Sequence, residues 1–111
     1  LVCVLTTVTP TQAQDSGRYV GRGTNADLSI TVRGNTAQAD LAGAGCIGEV
    51  VGRVQRGSGG RWSIRTTDGP DICVLTLSPG SGQSLRVTQS PGCGFFHGFS
   101  CSFEGSVRMA R

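Results

Sequence analysis

The sequence predicts an all-β domain, and within that class a small antiparallel up-and-down barrel of about eight strands. Three observations predict it. Apolar and polar residues alternate with period two over short runs, as in strands with one buried face. Turn residues separate these runs at a spacing of roughly 8 to 12 residues. Glycine fills 18 of the 111 positions, which weakens helices and serves turns, and no window carries an i, i+3, i+4, i+7 apolar pattern. The connections are short enough for each strand to run antiparallel to the one before, and closing the sheet removes its edges. A two-sheet β-sandwich satisfies the same alternation and is the alternative.

The N-terminus is read separately. Leu1–Val8 is apolar, and Thr9–Ala13 breaks the run with Pro10 and ends on a small residue. This reads as the tail of a secretory signal cut after Ala13, leaving residues 1–13 as a signal-peptide remnant and 14–111 as a single disulfide-tied β domain. An ordinary first strand is the other reading, and the run is too short for a membrane span.

The domain then begins with the turn-rich Asp15–Gly17 and a short strand around Tyr19, closed by Gly21-Arg-Gly23 and Asn25. Asp27–Val32 places Leu28, Ile30 and Val32 on one face. Gly34-Asn35 between two alternating runs signals a hairpin. Thr36–Leu41 follows, with Ala37, Ala39 and Leu41 inward. Cys46–Val54 phases Cys46, Gly48, Val50, Gly52 and Val54 together, and inward glycines suit a strongly curved sheet. After the turn Gly57–Gly60, Arg61–Arg65 points Trp62 and Ile64 inward. Ile72–Leu77 aligns Cys73, Leu75 and Leu77, and Ser84–Thr88 aligns Leu85 and Val87. Cys93–Ser100 is a tight, Gly-rich connection. The last strand puts Cys101, Phe103, Gly105, Val107 and Met109 on one face.

Removing Cys3 with the signal leaves Cys46, Cys73, Cys93 and Cys101, an even set that reads as two disulfides in an exported domain. Four buried thiols in a reducing compartment are the competing reading. Three connectivities are open. The pairing Cys46–Cys73 with Cys93–Cys101 is favoured, because the first joins two inward strand faces near one hairpin and the second closes a short loop. No Cys-x-x-Cys pair occurs and His97 is the chain's one histidine, so no metal and no cofactor are expected.

The candidate site is the loop Phe95, Phe96, His97 and Phe99. Three phenylalanines within five residues, bracketed by Gly94 and Gly98, make either a binding anchor or a plug over the barrel mouth. His97 reads first as an imidazole bonded to backbone, and second as a base or contact residue. Ser90, Ser100, Ser102 and Glu49 show no recognised catalytic spacing around it. Glu49 and Glu104 are in principle a glycosidase pair, but on exposed strand faces they read as solvated or paired with Arg53 or Arg108. No catalytic residue is therefore assigned. Net charge is +3, spread from Arg18 to Arg111, which speaks to solubility before it speaks to a nucleic-acid partner.

Cys46-Ile-Gly-Glu-Val50, Cys73-Val-Leu-Thr-Leu77, Cys93-Gly-Phe-Phe-His-Gly98 and Phe103-Glu-Gly105 give the chain a layout that resembles small secreted proteins of proteobacteria. Among these are the periplasmic lysozyme inhibitors, which are disulfide-tied small β-barrels. The resemblance runs from about Tyr19 to Arg108. It implies a non-enzymatic binding or inhibitor module of the periplasm or cell exterior, with a lysozyme-like hydrolase as partner. An inhibitor of a basic lysozyme offers it an acidic or shape-complementary loop, and the net charge of +3 runs against the first of these. The alternative function is a small-molecule carrier, because eight strands leave room for side chains or one small ligand. Ala37, Ala39, Gly48, Gly52 and Gly105 then leave space inside, or serve tight packing. A hydrolase is the third class.

Overall fold

The alternating runs become eight strands in a computed structural model that describes residues 16–66 and 69–110. They are β1 (Ser16–Thr24), β2 (Ala26–Arg33), β3 (Thr36–Gly43), β4 (Cys46–Arg56), β5 (Trp62–Thr66), β6 (Val74–Pro79), β7 (Ser84–Gln89) and β8 (Ser102–Met109). Each pairs antiparallel with the next, and β1 pairs with β8 to close the barrel. The chain is thus an up-and-down barrel and not a two-sheet sandwich. The proposed signal remnant lies outside the described residues.

The inward phase holds as the alternation demands. Phe103, Leu28, Ile30, Ile64, Leu75, Leu77, Val32, Val50, Val87 and Val107 are all under 2% exposed and fill the interior. Burying a side chain of this size is worth about 1.5–3 kcal/mol each, which is the main force holding so small a domain together. Met109 keeps the phase, directly opposite inward Tyr19, but not the burial. It ends β8 at the rim, and its side chain is exposed.

The inward glycines are not spare room. A Cβ on Gly105 would strike the Arg22 carbonyl, one on Gly21 the Ser106 carbonyl, and one on Gly52 the Arg65 carbonyl. Neighbouring backbones come too close there for any side chain, as at the corners of a tightly curved sheet. This corrects the reading of Gly21-Arg-Gly23 as the end of the first strand: β1 runs through them to Thr24, and the register shift against β8 falls between Arg22 and Thr24. Gly34 does work as a turn residue. Its φ of +62° with a negative φ at Asn35 is the pattern of a type II′ hairpin turn.

Strand directions give the barrel two different rims. The turn rim carries the β2–β3, β4–β5 and β6–β7 turns and is closed from inside by Tyr19 against Trp62, with ring centroids 5.6 Å apart. The other, the disulfide rim, carries a bridge from Cys46 to Cys101 (Cα–Cα 6.1 Å) and one from Cys73 to Cys93 (Cα–Cα 4.4 Å).

This connectivity overturns the expected Cys46–Cys73 and Cys93–Cys101 pairing. Cys46 starts β4 and Cys73 precedes β6, so β5 stands between them. Cys46 instead reaches across the mouth to Cys101 at the start of β8, and Cys73 takes Cys93, four residues past the end of the neighbouring strand β7. By the chain-entropy relation the separations of 55 and 20 residues stabilise by about 4 and 3 kcal/mol.

Candidate functional site

The connection from β7 to β8 crosses the disulfide rim and holds the candidate residues. Its first part is a 3₁₀ helix, Pro91–Phe96, where the sequence suggests only a Gly-rich connection. Pro91 sits at the helix start, where its missing N–H costs nothing, and Cys93 within it is fully buried. A Cβ on Gly92 would meet the Ile72 carbonyl, so the helix can pack flush on the segment before β6.

His97 belongs to the anchoring of this loop. Gln89, the last residue of β7, donates through Nε2 to His97 Nε2 at 3.2 Å and accepts through Oε1 from the Phe103 N–H at 2.9 Å. His97 donates through Nδ1 to the Gly98 carbonyl at 2.6 Å. This network assigns the neutral tautomer with the proton on Nδ1. The ring stands edge-on to Phe103, centroids 5.5 Å apart. His97 also forms a bridge with Gly48 of β4, and the Gly98 N–H donates to the Ile47 carbonyl at 3.1 Å. A Cβ on Gly48 would lie 2.7 Å from the His97 Cβ. That inward glycine therefore makes room for the loop, not for a ligand. On the far side, Asn25 Nδ2 donates to the Ser100 carbonyl at 3.0 Å.

The four predicted residues divide. Phe96 is half-buried and packs on the core, and His97 beside it is fixed as above, so these two serve as the plug. Phe95 is 75% exposed, and Phe99 stands fully out from the barrel. One loop thus has two faces. It is tied down by its inward members and presents two aromatic rings to solvent on an immobilised backbone.

Beside it lies a cleft of about 670 Å³ lined by Asp40, Leu41, Ile47, Gly48, Glu49 and Phe95, with Phe96 and His97 at its end. Ile47 is 74% exposed. Asp40 and Glu49 stand directly opposite on β3 and β4, a like-charge pair that costs stability unless bridged. The Gln38 amide bridges them, donating to Asp40 Oδ1 at 3.1 Å and to Glu49 Oε2 at 2.9 Å. Glu49 accordingly has a carboxylate and an amide as neighbours where the sequence suggested Arg53. Glu104 is on β8, four strands away around the barrel, so the two glutamates do not face one another as a glycosidase pair. Ser90 Oγ is occupied as acceptor from the Val74 N–H at 2.9 Å.

Gln89 and Asp40 escaped the sequence reading, although both left a trace. Gln89 continues the inward phase of Leu85 and Val87, and a polar group at an inward position needs a partner. Asp40 meets Glu49 because a two-residue turn sets Gly43 opposite Cys46.

Among the described residues no group of three or more His, Cys, Asp or Glu is placed to hold a metal ion, and no helix is long and apolar enough to cross a membrane. The two disulfides are compatible with an oxidising, exported location. Fold and loop together define a class: a closed eight-stranded barrel with a disulfide-stapled rim and an aromatic loop across it. Comparison with protein-family models, curated proteins and solved structures finds no match to this chain.

Proposed function

We propose that the chain is a non-enzymatic, exported binding or inhibitor module that docks a secreted or periplasmic protein by its disulfide rim. The observation that carries this reading is the display of Phe95 and Phe99 in water on a loop anchored through Gln89, His97 and two disulfides. Exposed aromatics on a rigid backbone are the groups that anchor interfaces at low entropic cost. The cleft beside Phe95 adds an acidic pair flanked by exposed Ile47. A partner's arginine or lysine fits there, with its stem on the apolar wall and its charge between Asp40 and Glu49. The local charge of the docking face is therefore opposite in sign to the net charge of the chain, which removes the objection to a basic partner. A lysozyme-like hydrolase, the class implied by the resemblance, is such a partner. A carrier function lacks comparable support, because side chains occupy the interior and the inward glycines are filled by neighbouring backbone.

The test uses a basic C-type lysozyme as probe. It should bind the oxidised protein, and Phe95→Ala and Phe99→Ala should each weaken binding by about tenfold or more. Their melting temperatures should hold, since exposed substitutions cost within about 0.5 kcal/mol. Lysozyme that fails to bind overturns the hydrolase class. Binding indifferent to both substitutions overturns the loop as the docking surface.

A further inference from the structure

The outer face of the barrel collects arginines that the linear sequence scatters. Arg33 pairs with Thr36, Thr36 with Arg53 and Arg53 with Arg65, so one cross-strand row runs from β2 to β5 through three arginines and a threonine. Arg18 of β1 lies opposite Thr31, one diagonal step from Arg33. All four arginines are exposed. At about 4.8 Å per strand the track is roughly 19 Å long around the barrel.

Among the described residues none of these four is in an ion pair; Arg22, which is, pairs with Asp27 at 2.7 Å. The acids on β3 and β4, Asp40 and Glu49, are four residues along their strands from Thr36 and Arg53, roughly 13 Å away. Arg53 and Arg65 stand directly opposite each other, an arrangement that destabilises a sheet when nothing neutralises it. The fold holds this repulsion on an open surface, where an anion that spans the row relieves it.

We propose that the Arg18–Arg33–Arg53–Arg65 track binds a linear acidic polysaccharide, with successive carboxylate or sulfate groups on successive guanidiniums. Guanidinium matches both groups through paired N–H donors, and Thr36 supplies a hydroxyl between two of them. A nucleic acid fits less well. Single strands bind on aromatic platforms, and the two large rings on the strands that carry the row, Tyr19 of β1 and Trp62 of β5, are buried. The row climbs obliquely from Arg18 and Arg33 at the turn rim to Arg65, which pairs with Val74 beside Cys73. A bilayer fits less well because the exposed phenylalanines are on the β7–β8 connection, with Phe95 beside Ile47 and Glu49, and not along this row. The proposal is independent of the docking reading, which concerns the β7–β8 loop and the acidic cleft beside it and uses none of these arginines.

The probe is a heparin oligosaccharide, measured by calorimetry at about 50 mM and about 300 mM salt. The oxidised protein should bind it and weaken with salt. The double variant Arg53→Gln/Arg65→Gln should lose about tenfold or more in affinity and melt no lower than the parent, because it removes a repulsive pair. Arg22→Glu makes the same change in net charge away from the track and should lose no more than about threefold. Failure of the parent to bind at low salt overturns the proposal. So do equal losses in the two variants, which would make net charge the whole effect. Tighter binding to duplex DNA or to phosphatidylglycerol vesicles than to the oligosaccharide overturns the assignment of a polysaccharide.

Discussion

The two rims of this barrel are closed by different means. The turn rim is closed by packing: Tyr19 meets Trp62 inside it, and short glycine-bearing turns leave the strands without further covalent ties. The disulfide rim is closed by covalent bonds and a hydrogen-bonded loop, with Cys46–Cys101 spanning the mouth and Gln89 holding His97 and Phe103 together. The difference shows where this sequence spends its constraints. A loop that must keep two phenylalanines in water has no burial of its own to hold it. Its order has to come from bonds to the barrel beneath.

Breaking the longer bridge should have the largest effect on that contrast. Cys46→Ala/Cys101→Ala is expected to lower stability by about 4 kcal/mol, a large fraction of a small domain's total. Urea unfolding under non-reducing conditions measures it. Hydrogen exchange should rise first in residues 91–101 and last in the strands at the turn rim. Uniform exchange would show that the rims do not differ in the way described.

A smaller effect isolates the hydrogen-bonded anchor. Gln89→Ala leaves the Phe103 N–H and His97 Nε2 without their Gln89 partner and should cost about 1–3 kcal/mol. The checking measurement is the exchange rate of the Phe103 amide together with the melting temperature. A change within about 0.5 kcal/mol, the ordinary surface value, would mean that the disulfides alone fix the loop.

The smallest expected effect lies at the turn rim and is a pH dependence. Burial pushes the Tyr19 phenol above its ordinary value of 10.0, because the folded site disfavours the phenolate. The unfolded chain therefore ionises first as pH rises. The stability contributed by the protonated phenol is complete below pH 10 and declines as pH climbs toward the raised folded value. Tyr19 is the chain's one tyrosine, so its phenolate absorbance reports this site alone. A midpoint at or below 10, or alkaline melting unaltered in Tyr19→Phe, would contradict the burial argument.

The strands were legible because alternation is local: Leu28, Ile30 and Val32, or Cys46 through Val54, declare their inner face within a few residues. Closure followed from short connections and the need to remove edges. The disulfide pairing was not legible, because it depends on which strand starts face one another across the mouth. Chain proximity pointed to Cys93–Cys101, while geometry joined each of these to a more distant partner. Gly21 and Gly23 misled for a related reason. Glycine ends a strand when read locally, and here it admits β8 to within van der Waals contact. The loop residues were found by composition, but their division into a half-buried pair and an exposed pair depends on Gln89 and Gly48, which lie outside the loop.

One consequence of antiparallel closure concerns attachment. β1 begins and β8 ends side by side, with the Ala110 N–H donating to the Arg18 carbonyl at 2.7 Å. Chain entering at Ser16 and chain leaving at Ala110 thus share the turn rim, among the arginines. Eight-residue strands tilted as in a closed barrel set that rim roughly 20 Å from the aromatic loop. A tether, fusion or immobilising surface joined to either end of the barrel leaves Phe95 and Phe99 pointing away from the point of anchorage, free to meet what arrives from the opposite side.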